Sequence, residues 1–242
     1  MFEFLSLIFY IWKTLRYSMA AKIKNLTTPH KKTGPAPVLT ESGRMVAYSD
    51  AIFSIALTLM ALEIKIPHPE QIGESSLLFA LLERWPSFLS FFISFMIITV
   101  VWTNHHTIFR HVKYIDHNLM ILNNLLLLNV IFIPFCSEML GEYMLQNNTN
   151  ANFAVFLYGA WIAIGGIPFN LVWRYGVKKK ELLNPESDPI EIQKITSHFI
   201  KGPYIYAFVT ILSFLNIWLS IIGFGILILF FLVPTAWLLR KK

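Results

Sequence analysis

Charge is scarce in this chain and cysteine nearly absent. Only 14% of its 242 residues are Asp, Glu, Lys or Arg, where a soluble domain carries roughly a quarter. The single thiol, Cys136, rules out an intrachain disulfide and a cysteine-built zinc site. Set inside an apolar run, it reads as inert packing. There is no Gly-rich phosphate loop, no serine nucleophile elbow and no Thr-Val-Gly-Tyr-Gly carbonyl filter. Nucleotide-driven and hydrolase chemistry therefore lack their usual signatures. The net charge of +6 could suit nucleic acid, but the basic residues sit in short segments between apolar runs, which argues against it.

Apolar residues dominate instead: 55% of the chain is hydrophobic, with 21 Phe and seven Trp, and mean hydropathy is +0.56. Aromatic rings at that level suit lipid-facing and interfacial positions. Six stretches could each supply a span of about 20 residues: Met45–Ile66, Pro86–Phe109, Leu119–Leu140, Phe153–Trp173, Pro203–Leu219 and Ile221–Leu239. The last two form one apolar block that must turn near Ser220 and Gly223. Lys and Arg cluster before the first span, in alternate loops (Arg110 and Lys113; Arg174 to Lys201) and at the end, Arg240–Lys242. The intervening loops hold Glu70, Glu74, Glu83, Glu138 and Glu142. That alternation places both termini on the cytoplasmic side of an all-α, six-helix membrane protein.

Residues 1–43 stand apart from the helical domain, 44–242. Phe2–Trp12 is apolar but too short to span, and reads as an interfacial helix with Lys13 and Arg16 at the head groups. Residues 25–40, with Pro29, Gly34, Pro35 and Pro37, read as a linker. Asn147-Asn148-Thr149 matches a glycosylation sequon, relevant only in a secretory pathway.

The first span opens on ionisable residues, Arg44-Met-Val-Ala-Tyr48-Ser49-Asp50. Such groups are costly in hydrocarbon and face protein or water. At 100° per residue, Arg44, Tyr48, Ala51, Ile55, Thr58 and Leu62 fall on one narrow stripe, a heptad-like seam able to pack against copies of itself around an axis. Asp50 lies roughly opposite and needs partners. The second span offers Trp102, His105, His106 and Phe109 on one face at the same depth, so a network of Ser49 and Asp50 with either histidine and the Trp102 indole is geometrically open. The stripe could also be plain packing, and Asp50 with the histidines could relay protons. His105, His106, His111 and His117 show no ligand spacing that specifies a metal. His111 and Asp116 match the His-x4-Asp pattern of membrane acyltransferases, without the companion motifs.

These residues resemble the transmembrane protein 175 family of potassium channels, in its single-repeat prokaryotic form. The family signature Arg-x-x-x-Phe-Ser-Asp stands here as Arg44 to Asp50, with Tyr48 in place of phenylalanine, followed by Ala51 to Leu59. Trp102-x-x-His105-His106-x-x-Phe109 and the run Asn124 to Asn129, leading to Pro134-Phe135, also match. The resemblance covers about Gly43 to Lys242. It implies that four copies of the first helix line a pore whose narrowest ring is Ile55. Thr58 would meet the ion one turn on, and Leu62 would form a second apolar ring. It further implies that the Ser49–Asp50 pair and Trp102, His105 and His106 form a buried network.

The resulting expectation is a homotetrameric, weakly to moderately potassium-selective channel in the plasma membrane. It would have no catalytic residues, no cofactor and no bound metal beyond potassium in transit. The alternative is a proton channel or proton-coupled transporter using Asp50 and His105/His106.

Overall fold

The computed structural model describes residues 39–68, 76–146 and 148–232. The expected interfacial helix, most of the linker, Asn147, Glu70, Glu74 and Arg240–Lys242 lie outside them. The described residues belong to one compact unit.

A two-residue strand, β1 (Thr40–Glu41), leads into α1 (Gly43–Leu62). A short helix, α2 (Leu77–Glu83), precedes α3 (Trp85–His111). Strand β2 (Tyr114–Ile115) then opens onto α4 (His117–Tyr143), α5 (Thr149–Lys178), α6 (Pro189–Ile211) and α7 (Ile217–Leu232). α1 packs on α3 and α4, α4 also on α5, and α5 on α6. Among the described residues, α1, α3, α4 and α5 are long and apolar enough to cross a membrane. α6 carries Glu191, Lys194 and Lys201, and α7 is described over 16 residues. The described residues are therefore mostly helical, with four helices of membrane-spanning length and composition inside a set of six long ones.

Local chemistry explains where these helices begin. Asp116 caps α4 by accepting from the Leu119 amide at 2.9 Å. Asn148 caps α5 through the Asn150 and Ala151 amides. Asp188 caps α6, with Pro189 at the first helical position; both choices satisfy or remove otherwise unpaired N–H groups.

The sequence pattern places the start of the fifth span at Pro203, yet α6 begins 14 residues earlier and runs through that proline. Pro203 has no N–H to offer the Phe199 carbonyl four residues back. Asn170 on α5 supplies the missing donor, its Nδ2 lying 3.1 Å from that carbonyl oxygen. A neighbouring helix thereby repairs the break, as membrane helices require.

The turn between the last two helices also falls earlier than Ser220 and Gly223. The chain tightens into a 3-10 turn at Leu212–Phe214, and α7 restarts at Ile217, with the Asn216 side chain accepting from the Trp218 amide. Ser220 and Gly223 instead fasten α7 to α6. The Ser220 hydroxyl donates to the Val209 carbonyl at 2.7 Å, and a Cβ on Gly223 would come within 2.6 Å of Val209 Cγ1. Small, polar residues mark a close helix contact here, a signal that resembles a turn in sequence.

At one end of the bundle, three loops are sewn together. β1 pairs antiparallel with β2, and the Ser42 amide donates to the Lys113 carbonyl. The Lys113 and Tyr114 amides in turn donate to Leu182, which is wholly buried. The entry to α1 is thus tied to the α3–α4 and α5–α6 loops by backbone hydrogen bonds.

Candidate functional site

α1 divides into two faces. Met45, Ser49, Phe53, Ala56 and Met60 are buried against α3 and α4. Arg44, Tyr48, Ala51, Ile55, Thr58 and Leu62 are all exposed within the subunit. Ile55 is 56% and Leu62 76% accessible, so this chain leaves the stripe uncovered. Leu57, off the stripe, packs against the core. The Thr58 hydroxyl donates to the Ile55 carbonyl at 2.9 Å; that spends its proton and leaves oxygen lone pairs turned to the exposed side.

The buried face is held by a polar chain through three helices. Ser49 Oγ, fully buried, donates to the Met45 carbonyl at 2.8 Å. It accepts from Asn123 Nδ2 at 3.0 Å, and Asn123 Oδ1 lies 2.9 Å from His105 Nε2. With the amide oriented this way, His105 must carry its proton on Nε2. His105 Nδ1 is buried without a partner, so a second proton there would find no acceptor. The ring is further enclosed by Phe53 and Phe109, at centroid distances of 5.3 and 4.7 Å. A neutral, fixed imidazole fits this setting.

Asp50 belongs to a separate contact. It is half-buried on the flank of α1, where Oδ1 accepts from the Trp102 indole N–H at 2.9 Å. His106 is exposed and lies beside Trp102, ring centroids 6.4 Å apart. Among the described residues no hydrogen bond joins Asp50 to either histidine. The residues picked out by spacing therefore come together as two clusters, Ser49 with His105 and Asp50 with Trp102. Asn123, which links the first cluster, is the member that helical spacing alone misses. Its signal was available: an amide pair, Asn123-Asn124, within a largely apolar helix, where a polar side chain needs a partner.

Beyond Leu62, the end of α1 is tied to α4. Lys65 Nζ lies 2.6 Å from Glu138 Oε1.

His111 and Asp116 are both spent on structure. His111 is buried, 3.1 Å from Ser187 Oγ through Nδ1 and 3.6 Å from Glu191 through Nε2. Glu191 also pairs with Arg110 at 2.7 Å. Asp116 accepts from Tyr175 at 2.7 Å and Lys179 at 2.8 Å besides capping α4. Cys136 is buried and unpaired. Among the described residues no cluster of three or more His, Cys, Asp or Glu could hold a metal ion.

The sequence and fold of this chain have counterparts among known proteins. The family described as "Endosomal/lysosomal potassium channel TMEM175" matches residues 44–134, which include all of α1 after Gly43 and both polar clusters. A potassium channel of Chamaesiphon minutus is 39% identical over 186 residues, covering 77% of this chain and 91% of the relative.

The chain belongs to the TMEM175 family.

A crystal structure of a homologue in that family, described as a lysosomal potassium-selective channel TMEM175 homolog from Chamaesiphon minutus, superposes with a TM-score of 0.71. Identity is 35%, covering 79% of this chain and 96% of that one. The TMEM175 protein of Gallus gallus, named an endosomal/lysosomal proton channel, is 29% identical over 197 residues. They cover 78% of this chain but only 38% of the animal protein. These relatives and the structural neighbour are ion channels, not enzymes, and family and helix composition together make this a multi-pass membrane protein.

Proposed function

We propose that this TMEM175-family chain assembles as a homotetrameric cation channel with a weak to moderate preference for potassium. The α1 helix of each subunit lines its path. The reading rests chiefly on the α1 stripe, which is exposed among the described residues. The relatives' names as potassium channels support the ion. Ile55 would close the neck as a ring of aliphatic side chains, gating by dewetting. Thr58 would present lone pairs one turn further on, and Leu62 a second apolar ring. Side-chain methyls cannot replace a hydration shell, so discrimination between potassium and sodium should be softer than in a carbonyl filter. The Ser49–Asp50 pair would position α1 rather than conduct, with Arg44 and Tyr48 at the start of the exposed stripe. No cofactor enters this scheme. The channel would sit in the plasma membrane with both termini cytoplasmic, following the basic loops.

Flux into liposomes holding the purified protein tests it, with potassium-only, sodium-only and proton-only gradients. Potassium flux above sodium flux, altered by changes at Ile55, supports the reading. Equal fluxes insensitive to Ile55 reject it.

A second reading is favoured by one comparison, the animal relative named a proton channel. Asp50 with His105 or His106 would then carry protons. Against it, His105 Nδ1 has no partner and no hydrogen bond leads from His105 to Asp50. A proton-only current abolished by Asp50→Asn in an assembled channel would favour it.

A further inference from the structure

We propose that the groove between α5 and α6, at the end of the bundle carrying the basic loops, binds an anionic phospholipid whose head group pairs with Arg174. The groove is open and encloses about 470 Å³. Ile164, Ile167 and Leu171 on α5 and Ile200, Pro203 and Tyr204 on α6 give it apolar walls. Tyr204 is 74% exposed, and Ile164, Ile167 and Leu171 are exposed with it. Arg174 closes one end.

Three features select a lipid as the occupant. The α5 wall runs from Ala163 to Arg174, which at about 1.5 Å per residue is roughly 16 Å. That is close to half of a hydrocarbon core about 30 Å thick, the depth of one leaflet. The charge sits only at the outer limit of that length, where a head group lies. Arg174 has neither an ion pair nor a side-chain hydrogen bond among the described residues, and Lys178 follows one turn later on the same face. An apolar trough ending in an unneutralised guanidinium complements an acyl chain joined to a phosphate, since guanidinium groups bind phosphate oxygens in a fork. The depression itself is structural: a Cβ on Gly166 would approach Pro203 Cγ to 2.5 Å, so the two helices run close together beneath the lipid.

The test is native mass spectrometry of the detergent-purified full chain, titrated with phosphatidylglycerol and phosphatidylcholine of matched acyl chains. The wild type should retain phosphatidylglycerol about fivefold more tightly for the charge at Arg174. Arg174→Gln should bring the ratio near one, and Arg174→Lys should keep part of the preference. Ala207→Phe, which fills the groove wall, should weaken retention of both lipids. Soluble glycerol phosphate should not compete, which separates a lipid site from a plain phosphate site; effective competition would overturn the proposal. Unchanged phosphatidylglycerol preference in Arg174→Gln would overturn it too. So would an Ala207→Phe chain that keeps its lipid but loses oligomer mass, since the groove would then be a contact between copies. Elution volume and thermal midpoint of Arg174→Gln, matched to wild type, exclude misfolding as the cause of a lost preference.

Discussion

The Trp102 indole donates to Oδ1 of Asp50 across 2.9 Å, joining α3 to the flank of α1 away from the exposed stripe. In the proposed channel a carboxylate so placed would hold α1 in position and take no part in lining the path. Asp50→Ala should therefore reduce the yield of assembled protein more than it changes ion preference. In a double-mutant cycle with Trp102→Phe, a coupling of about 1 kcal/mol is expected, in the range for polar contacts between membrane helices. Size-exclusion yield and midpoint measure the first effect, and reversal potentials the second. A well-assembled Asp50→Ala channel with altered permeability would reverse the assignment.

The stripe makes a position-specific prediction. Ile55→Ala should raise potassium flux roughly tenfold, the change that about 1.4 kcal/mol off a barrier produces, and should erode potassium over sodium preference. Leu57→Ala, packed against the core, should change flux little and cost stability instead. Liposome flux from both variants at matched protein content decides the matter, and equal effects at the two positions would count against a neck at Ile55.

Much of this arrangement was legible before any coordinates. The stripe Arg44 to Leu62 follows from helical spacing alone, and the structure leaves those side chains exposed. Trp102 could be matched to Asp50 because the start of the first span and the end of the second lie at the same depth. Asn123 was lost because an amide announces neither its partner nor its direction, whereas a charge in hydrocarbon demands explanation. The limits of α6 were misread for a related reason. Pro203 looks like a helix start, and only the Asn170 side chain on another helix shows why it need not be one. Contacts between distant segments decide such cases, and local pattern cannot supply them.

Asn123 bridges Ser49 and His105, so its removal strips the buried His105 Nε2 of its partner, while Ser49 keeps the Met45 carbonyl. Asn123→Leu should destabilise the protein by about 1–3 kcal/mol, the usual cost of leaving a buried polar group unpaired. Ser49→Ala should cost less, because it frees only one Asn123 donor and a local backbone contact. Thermal unfolding in a fixed detergent compares the two. If Asn123→Leu proves as stable as wild type, the chain through α1, α3 and α4 is not what anchors the buried face of α1.

Asp116 gives a prediction with a defined pH window. Burial alone would raise its carboxyl, but hydrogen bonds from Lys179, the Leu119 amide and Tyr175 outweigh that and hold it below its ordinary value of 3.8. A carboxylate depressed on folding adds stability above its ordinary value and loses that contribution as pH falls through the lower, folded one. The partner is shifted the other way: Lys179 is pushed above its ordinary 10.5, first by its hydrogen bond to Asp116. Its share is complete below that value and disappears as pH rises through the folded one. The α3–α4 loop, which this cluster joins to the end of α5, should therefore be steady across neutral pH and loosen only at either extreme. Asp116→Asn removes the charge while keeping an oxygen for the α4 cap. It should lower the thermal midpoint at pH 7 and flatten its fall between pH 5 and 3, which a pH series of unfolding curves would record. If the variant falls as steeply as wild type over that acid range, the acid sensitivity belongs to other carboxylates.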